Sequence, residues 1–211
     1  MPSFVDLREF ITELERRNDL IRITKEVDPR LEMTEIAHRT LSGGGPALLF
    51  DNPKGYSIPV LANLFGAERR IALGMGQESV EALRQVGELL AYLRQPDPPR
   101  DFRDLVDKAP LLKKILSMSP NIVKQAPCQQ RIISGKEIDL HALPIQTCWP
   151  EDAAPLLTWP LVITRGPKKD RLNLGIYRMQ LLGRNKLILR WLPQRGGALD
   201  FRDWQLEKPG K

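Results

Sequence analysis

One stretch of the chain, residues 173–180 with the sequence NLGIYRMQ, combines residue types that could bind an anionic cofactor. It offers an asparagine amide that can ligate a metal ion and the guanidinium of Arg178. Residues 186–192, a candidate hairpin partner, add Arg190, and Arg195-Gly196-Gly197 follows. Arginine forms bidentate hydrogen bonds with phosphate or carboxylate, and glycine allows a close approach of the backbone to a ligand. The pattern therefore predicts the floor of a cofactor site.

The turn between these two candidate strands leaves two registers open. If residues 183–185 all lie in the loop, Arg178 lies opposite Arg190. Because directly opposed like charges destabilise a strand pair by about 0.2–1 kcal/mol, this register indicates an anion between the two side chains, and a cofactor phosphate is suitable. If the loop contains two residues, Arg178 lies opposite Trp191, and a cation–π contact explains the pair without a ligand.

Asn173 and Arg178 are separated by an odd number of positions, so a regular strand would place them on opposite faces. A bulge adds one residue to a strand and would return both side chains to a common face. Glycine in a strand is a frequent site for such a bulge. We therefore predict a bulge at Gly175.

The elements before this stretch predict an α/β domain over residues 1–126. Apolar residues at helical spacing predict helices, and short apolar runs between turn residues predict strands. The predicted helices cover residues 3–14, 33–41, 78–94 and 105–116, and the predicted strands cover residues 20–23, 47–50 and 58–61.

From residue 127 onward the pattern changes to strands separated by turns that contain proline and glycine, which is typical of an antiparallel sandwich or barrel. The predicted strands cover residues 129–134, 156–164, 173–182 and 186–192. The fold class predicted from the whole chain is α+β.

Three features with possible chemistry have simpler structural interpretations. Gly43-Gly44-Gly45 follows a helix and precedes a strand, which is the reverse of the order in a phosphate-binding loop, so it is interpreted as a helix stop and turn. His141 has no Ser, Cys or Asp partner at a recognisable spacing and is interpreted as a packed or surface histidine. Cys128 and Cys148 form no CxxC pattern, which favours reduced thiols over a disulfide or zinc site.

The formal net charge is +6 and the sequence pI is about 9.5, which favours anionic partners in general. The basic residues are scattered rather than clustered with aromatic residues, so we expect no nucleic-acid partner. No apolar run approaches the roughly 18 residues that span a bilayer, and no signal-peptide pattern opens the sequence. We expect a cytoplasmic protein, with peripheral association at the inner face of the cell membrane as the most that the sequence allows.

Several segments, in the same order along the chain, together resemble the N-terminal part of UbiD-type decarboxylases. They are GGPALLF at residues 44–50, APCQQ at 126–130, TCWPEDAAP at 147–155 and NLGIYR at 173–178. The resemblance implies an N-terminal α/β domain followed, over residues 127–211, by the first part of a flavin-reductase-like split β-barrel.

The resemblance also implies a cofactor and a reaction. Members of this family use prenylated FMN, made by a flavin prenyltransferase, together with Mn²⁺ and commonly a monovalent cation, within a homo-oligomer that is expected to be a hexamer. The implied reaction is the decarboxylation of 4-hydroxy-3-polyprenylbenzoate to 2-polyprenylphenol in ubiquinone biosynthesis. An FMN-dependent oxidoreductase of the split-barrel type is the alternative.

By resemblance, Asn173 is a metal ligand, and Arg178 belongs to a catalytic Glu-Arg-Glu network in addition to contacting the cofactor. The residues implied to contact the flavin or its phosphate are Ile176, Tyr177, Arg178, Arg190, Trp191, Leu192, Arg195 and Gly196.

The chain departs from the family at two points. Gln194 stands near a position where some relatives have a metal-binding histidine, and a glutamine can offer such an ion only its amide oxygen. The family sequence also continues well beyond Lys211, through both acidic members of the catalytic network and an assembly domain. We therefore expect the chain to be a fragment with negligible decarboxylase activity alone.

Overall fold

The computed structural model describes residues 4–95 and 122–210, together with Arg103, Val106, Ala109 and Lys113. The helices in these residues are α1 (Leu7–Arg16), α2 (Glu32–Ser42), α3 (Glu68–Gly74), α4 (Leu83–Arg94) and α5 (Gly196–Glu207). The strands are β1 (Leu20–Ile23), β2 (Ala47–Phe50), β3 (Val60–Ala62), β4 (Leu156–Leu157), β5 (Leu161–Thr164), β6 (Asn173–Ile176), β7 (Met179–Gly183) and β8 (Lys186–Leu189). The α+β class is confirmed. The predicted helix at 105–116 lies largely outside the described residues.

The chain forms two compact units, each built from two segments. One unit contains Met1–Asp19 and Leu64–Ile133, and the other contains Leu20–Asn63 and Ser134–Lys211. Each unit thus takes segments from both predicted domains, 1–126 and 127–211, and that domain boundary stays a prediction.

In the first unit, α1 begins after Asp6, whose side chain accepts a hydrogen bond from the Glu9 backbone N–H at 3.0 Å. This cap satisfies one of the backbone donors that have no partner within the helix.

Asp19 is a buried carboxylate in the same unit. It accepts hydrogen bonds from Arg69 at 2.6 and 2.7 Å and from the fully buried Arg70 at 2.7 Å. The charge of Asp19 is therefore paired.

In the second unit, β1 and β2 pair in parallel and β3 pairs with β2 antiparallel. All four residues of β2 are buried, as expected for the apolar run ALLF. Val27, Met33, Leu48 and Phe50 form the core cluster beneath this sheet. Helix α2 ends in a turn where Gly44 has φ +66°, so the interpretation of the three glycines as a helix stop agrees with the structure.

The later part of the second unit contains two small antiparallel sheets, β4–β7–β8 and β5–β6. The predicted strand 129–134 is wrong: the chain makes 3-10 turns at Pro127–Gln129 and Gly135–Glu137 with irregular backbone between them. Ile132 and Ile133 remain 81% and 50% exposed, so this apolar stretch finds no packing partner in the described residues.

The predicted bulge at Gly175 is also wrong, because the β5–β6 ladder runs regularly from Thr164–Asn173 to Leu161–Ile176. The next position of this register would place Pro160 opposite Tyr177, and proline has no N–H to donate to a ladder. Pairing resumes at Leu157–Met179, so three residues, 158–160, face two residues, 177–178. The extra residue lies on the facing strand, and both predicted long strands, 156–164 and 173–182, are divided there.

The hairpin between β7 and β8 combines the two registers that the sequence left open. Its tip is a two-residue loop, because Gly183 pairs with Lys186. A register shift at Leu182 then brings Met179 opposite Leu189, which is the register of the three-residue loop. Arg178 immediately precedes Met179 and Arg190 immediately follows Leu189, so both lie just beyond this last pair and outside the ladder.

None of the described helices has the length and apolar character needed to cross a membrane.

Candidate cofactor site

The break between β6 and β7 opens a cavity of about 1360 Å³ on the second unit. Its lining has arginines, an asparagine amide and a group of aliphatic side chains. The lining residues are Trp149, Asp152, Leu156, Leu161, Asn173, Leu174, Gly175, Ile176, Tyr177, Arg178, Gln180, Ile188, Arg190, Leu192, Arg195 and Gly196. Asn173 and Arg178 thus line one cavity even though Gly175 carries no bulge.

Three arginines, Arg178, Arg190 and Arg195, make the cavity electropositive, and all three side chains are exposed. None of them pairs with a carboxylate among the residues that the structure describes, whereas Arg184 at the hairpin tip lies 3.4 Å from Asp139. Arg195 is also the N-cap of α5, where the helix dipole favours negative charge. The cavity is therefore arranged to receive an anion.

Helix α5 was not predicted, because its two leading glycines were interpreted as positions where the backbone approaches a ligand closely. The structure gives these glycines a packing role as well. A methyl group at Gly196 would collide with the Asn173 amide, and one at Gly197 would collide with the Trp191 ring. Only glycine allows the first turn of α5 to lie so close to both side chains.

Trp191 is not among the residues that line the cavity. Its ring stacks on Phe201 with centroids 6.3 Å apart and is tilted against Tyr177 at 5.0 Å. Its predicted contact with the flavin stays a prediction, and the structure shows a tryptophan that packs between the strand break and α5.

Tyr177 connects the strand break to the helix. Its hydroxyl oxygen accepts a hydrogen bond from the Gly197 backbone N–H at 2.9 Å and lies 3.4 Å from Asn173 Nδ2. The ring also covers Gly175, where an added Cβ would come within 2.6 Å of Tyr177 Cε2. These contacts hold the segment after β6 against the first turn of α5.

Asn173 is held by a polar network that sequence spacing could not show. Asn173 Nδ2 lies 3.0 Å from Thr164 Oγ1, which donates to Asp200 at 2.7 Å, and Asp200 pairs with Lys169 at 2.9 Å. The Lys169 ammonium lowers the pKa of Asp200 below its ordinary value; burial opposes this shift, and the hydrogen bond from Thr164 adds to it. Carboxylates of Asp203 and Asp200 in turn raise the pKa of Lys169. Asp200 and Lys169 are therefore both charged at neutral pH.

The cavity fits a metal ion only in part. Within the described ranges, no group of three or more His, Cys, Asp or Glu side chains is placed to hold a metal ion. Asn173 can supply a single amide oxygen, which suits a hard cation. A metal ion bound at Asn173 would need further oxygen ligands from outside the described residues.

Other predicted features lie away from this chemistry. His141 is exposed in the 3-10 turn Leu140–Ala142, and its backbone N–H is bound by Asp139 at 3.0 Å. Cys128 and Cys148 are both free.

Trp149 and Asp152 line the cavity but were not predicted as site residues. They lie in a turn in which Asp152 accepts hydrogen bonds from the backbone N–H groups of Cys148 and Trp149 at 3.1 and 2.9 Å.

Two family models match the chain. The 3-octaprenyl-4-hydroxybenzoate carboxy-lyase N-terminal domain of the UbiD family matches residues 11–90, and the Rift-related domain of the same carboxy-lyase matches residues 121–211. The chain belongs to the UbiD family. It carries sequence from two successive regions of a UbiD protein, and the resemblance seen in the sequence is confirmed.

Solved structures of UbiD-class enzymes show the same fold. The evolved dimeric form of HmfF from Pelotomaculum thermopropionicum, solved in complex with prFMN, is 32% identical over 89% of this chain, with a TM-score of 0.69. The vanillic acid decarboxylase of Sedimentibacter hydroxybenzoicus in its closed form is 26% identical over 98% of this chain, with a TM-score of 0.77.

The apo 3,4-dihydroxybenzoic acid decarboxylase of Klebsiella pneumoniae is 22% identical over 96% of this chain with a TM-score of 0.73, a likeness that shows the fold alone. This UbiD chain spans 38%, 41% and 40% of the three solved chains, which is about two fifths of their length.

Proposed function

We propose that this chain provides one wall of the prenylated-FMN site of a UbiD-type decarboxylase. The observation that carries the proposal is the cavity of the second unit, in which three arginines without a carboxylate partner in the described residues line the same space as Asn173. One solved relative binds prFMN, and it shares 32% identity with the chain. A flavin phosphate is an anion of the size and charge that such a cavity suits.

The polar and apolar parts of the cavity suit different parts of a flavin. Arg190 and Arg195, with the first turn of α5, would bind the phosphate through charge-assisted hydrogen bonds. Leu174, Ile176 and Leu192 are 64%, 47% and 44% exposed and offer an apolar surface for a flavin ring. Arg178 lies at the strand break, where its fork could hold either the phosphate or the carboxylate of a substrate.

We propose that Mn²⁺ binds with this cofactor and takes Asn173 Oδ1 as one ligand. Because the described residues offer no carboxylate cluster, the ion would depend on oxygens of the cofactor phosphate and of other protein residues. This dependence predicts that metal and flavin bind cooperatively rather than independently.

The proposed reaction is the decarboxylation of a 4-hydroxy-3-polyprenylbenzoate to a 2-polyprenylphenol. The bound cofactor supplies the electron sink, and this chain supplies orientation and positive charge. The proposal also includes a split β-barrel fold, assembly into a homo-oligomer and a flavin prenyltransferase that supplies the cofactor. The proposed location is the cytoplasm, with peripheral association at the membrane.

The cavity is tested by replacing its arginines one at a time. Arg178→Gln, Arg190→Gln and Arg195→Gln should each weaken FMN binding by about tenfold or more, because a hydrogen bond between charged groups contributes about 1.5–3 kcal/mol. Flavin fluorescence in a titration with the purified chain gives the dissociation constants. Arg184→Gln is the matched control, since Arg184 is exposed and outside the cavity lining. Equal effects of all four substitutions would overturn the proposed site.

The reaction class is tested with a protein that extends this chain to the length of the solved UbiD-class relatives, prepared in the presence of a flavin prenyltransferase and Mn²⁺. Release of CO₂ from a prenylated hydroxybenzoate without nicotinamide supports the decarboxylase. Oxidation of a nicotinamide cofactor without CO₂ release would support an oxidoreductase instead.

A further inference from the structure

The polar network behind Asn173 begins at a buried ion pair. Asp200 is 2% exposed, its Oδ1 lies 2.9 Å from Lys169 Nζ, and its Oδ2 lies 2.7 Å from Thr164 Oγ1. A lysine ammonium can only donate hydrogen bonds, and an ionised carboxylate can only accept them. The Thr164 hydroxyl must therefore give its single proton to Asp200.

This assignment fixes the direction of the next hydrogen bond. With its proton committed, Thr164 Oγ1 can only accept, so the Asn173 atom at 3.0 Å must be the amide nitrogen Nδ2. The same nitrogen lies 3.4 Å from the Tyr177 hydroxyl oxygen. The amide oxygen Oδ1 is left on the side of Gly196, and no donor in the part of the chain that the structure describes reaches it.

This orientation of the Asn173 amide is the opposite of the one that an anion in the cavity would favour. In a site that holds an anion, a freely rotating asparagine amide would turn its NH₂ group toward the anion, because that group donates hydrogen bonds. The network prevents this rotation and leaves the acceptor Oδ1 beside Gly196, a residue that lines the cavity. An amide oxygen suits a cation beside the phosphate and disfavours direct contact with the phosphate itself.

We propose that Thr164 and Asp200 are positioning residues that hold Asn173 Oδ1 toward a divalent cation accompanying the flavin phosphate. This inference rests on the proposed flavin site and adds two residues that do not line the cavity. Residues that orient a metal ligand in this way commonly change metal affinity by about 10- to 100-fold when they are replaced.

The test measures FMN affinity of the chain by flavin fluorescence with and without MnCl₂. In the unmodified chain, Mn²⁺ should tighten FMN binding. Thr164→Val keeps the side-chain size but removes the hydroxyl, so the amide can rotate, and the enhancement by Mn²⁺ should fall about tenfold. Thr164→Ser keeps the hydroxyl and should retain the enhancement. Thr158→Val, the same change at an exposed position outside the cavity lining, is the matched control.

Asp200→Asn provides a second variant in case Thr164→Val does not fold. An amide at position 200 can donate to Thr164, which reverses the network and allows Thr164 to donate to Asn173 Oδ1, so this variant should also lose the enhancement. Equal weakening with and without Mn²⁺ would show a merely structural role and overturn the inference. Failure of the unmodified chain to bind FMN at all would instead overturn the proposed flavin site.

Discussion

The central strand β2 of the sheet β1–β2–β3 buries all of its apolar side chains, whereas the sheet β5–β6 in the same compact unit leaves those of one face exposed. All four residues of β2 are buried. In β5–β6, the outward side chains Leu161, Ile163, Leu174 and Ile176 are 47–66% exposed, and the inward positions include Thr164 and Asn173, which are hydrogen-bonded to each other. The first sheet is stabilised by apolar burial, while the second depends on polar contacts and close packing with α5 and turns apolar surface toward the cavity.

The largest expected effect is on the buried sheet. Phe50→Ala removes a fully buried ring from the core cluster and should lower the free energy of unfolding by about 3–5 kcal/mol. Leu174→Ala, in the exposed face of β5–β6, should change it by less than about 1 kcal/mol. Urea denaturation followed by far-UV circular dichroism compares the two. Equal losses of unfolding free energy in the two variants would contradict the proposed difference between the sheets.

A smaller effect is expected where α5 packs against the site. Gly197→Ala should destabilise the chain by about 1–3 kcal/mol, because the added methyl group must displace the Trp191 ring. Near-UV circular dichroism should report the altered tryptophan environment together with the denaturation curve.

Gly183→Ala is the matched control, since an added Cβ there meets no atom within 4 Å. Its unfolding free energy should stay within about 0.5 kcal/mol of the unmodified chain. If Gly197→Ala and Gly183→Ala lower the unfolding free energy equally, close packing of α5 against Trp191 does not contribute to stability as described.

Local sequence signals predicted the first sheet well. The run ALLF in β2 lies between a glycine-rich helix stop and the turn DNPKG, and its strand character is confirmed; the strand that follows the turn, β3, pairs with it. These signals depend only on residues close together in the sequence, so they can be interpreted without knowledge of the tertiary structure. The helix α1 is confirmed for the same reason, although its N-cap is Asp6.

The candidate site was less accessible to sequence reasoning. The proline that ends the β5–β6 ladder lies on the strand opposite Tyr177, so only the pairing of distant residues shows why the strand breaks there rather than at Gly175. The contact of Thr164 with Asp200 joins residues 36 positions apart and follows from the packing of α5. Predicting that helix would have required interpreting Gly196-Gly197 as a helix start, against the low helix propensity of glycine.

The most direct test of the arginine-lined cavity is a comparison of FMN with riboflavin, which lacks the phosphate, in binding to the unmodified chain. The cavity should bind FMN at least about tenfold more tightly, and this ratio should fall as salt is raised, because ions screen the contacts of exposed arginines with the phosphate. Equal affinities for FMN and riboflavin, unaffected by salt, would contradict the assignment of this cavity as a flavin-phosphate site.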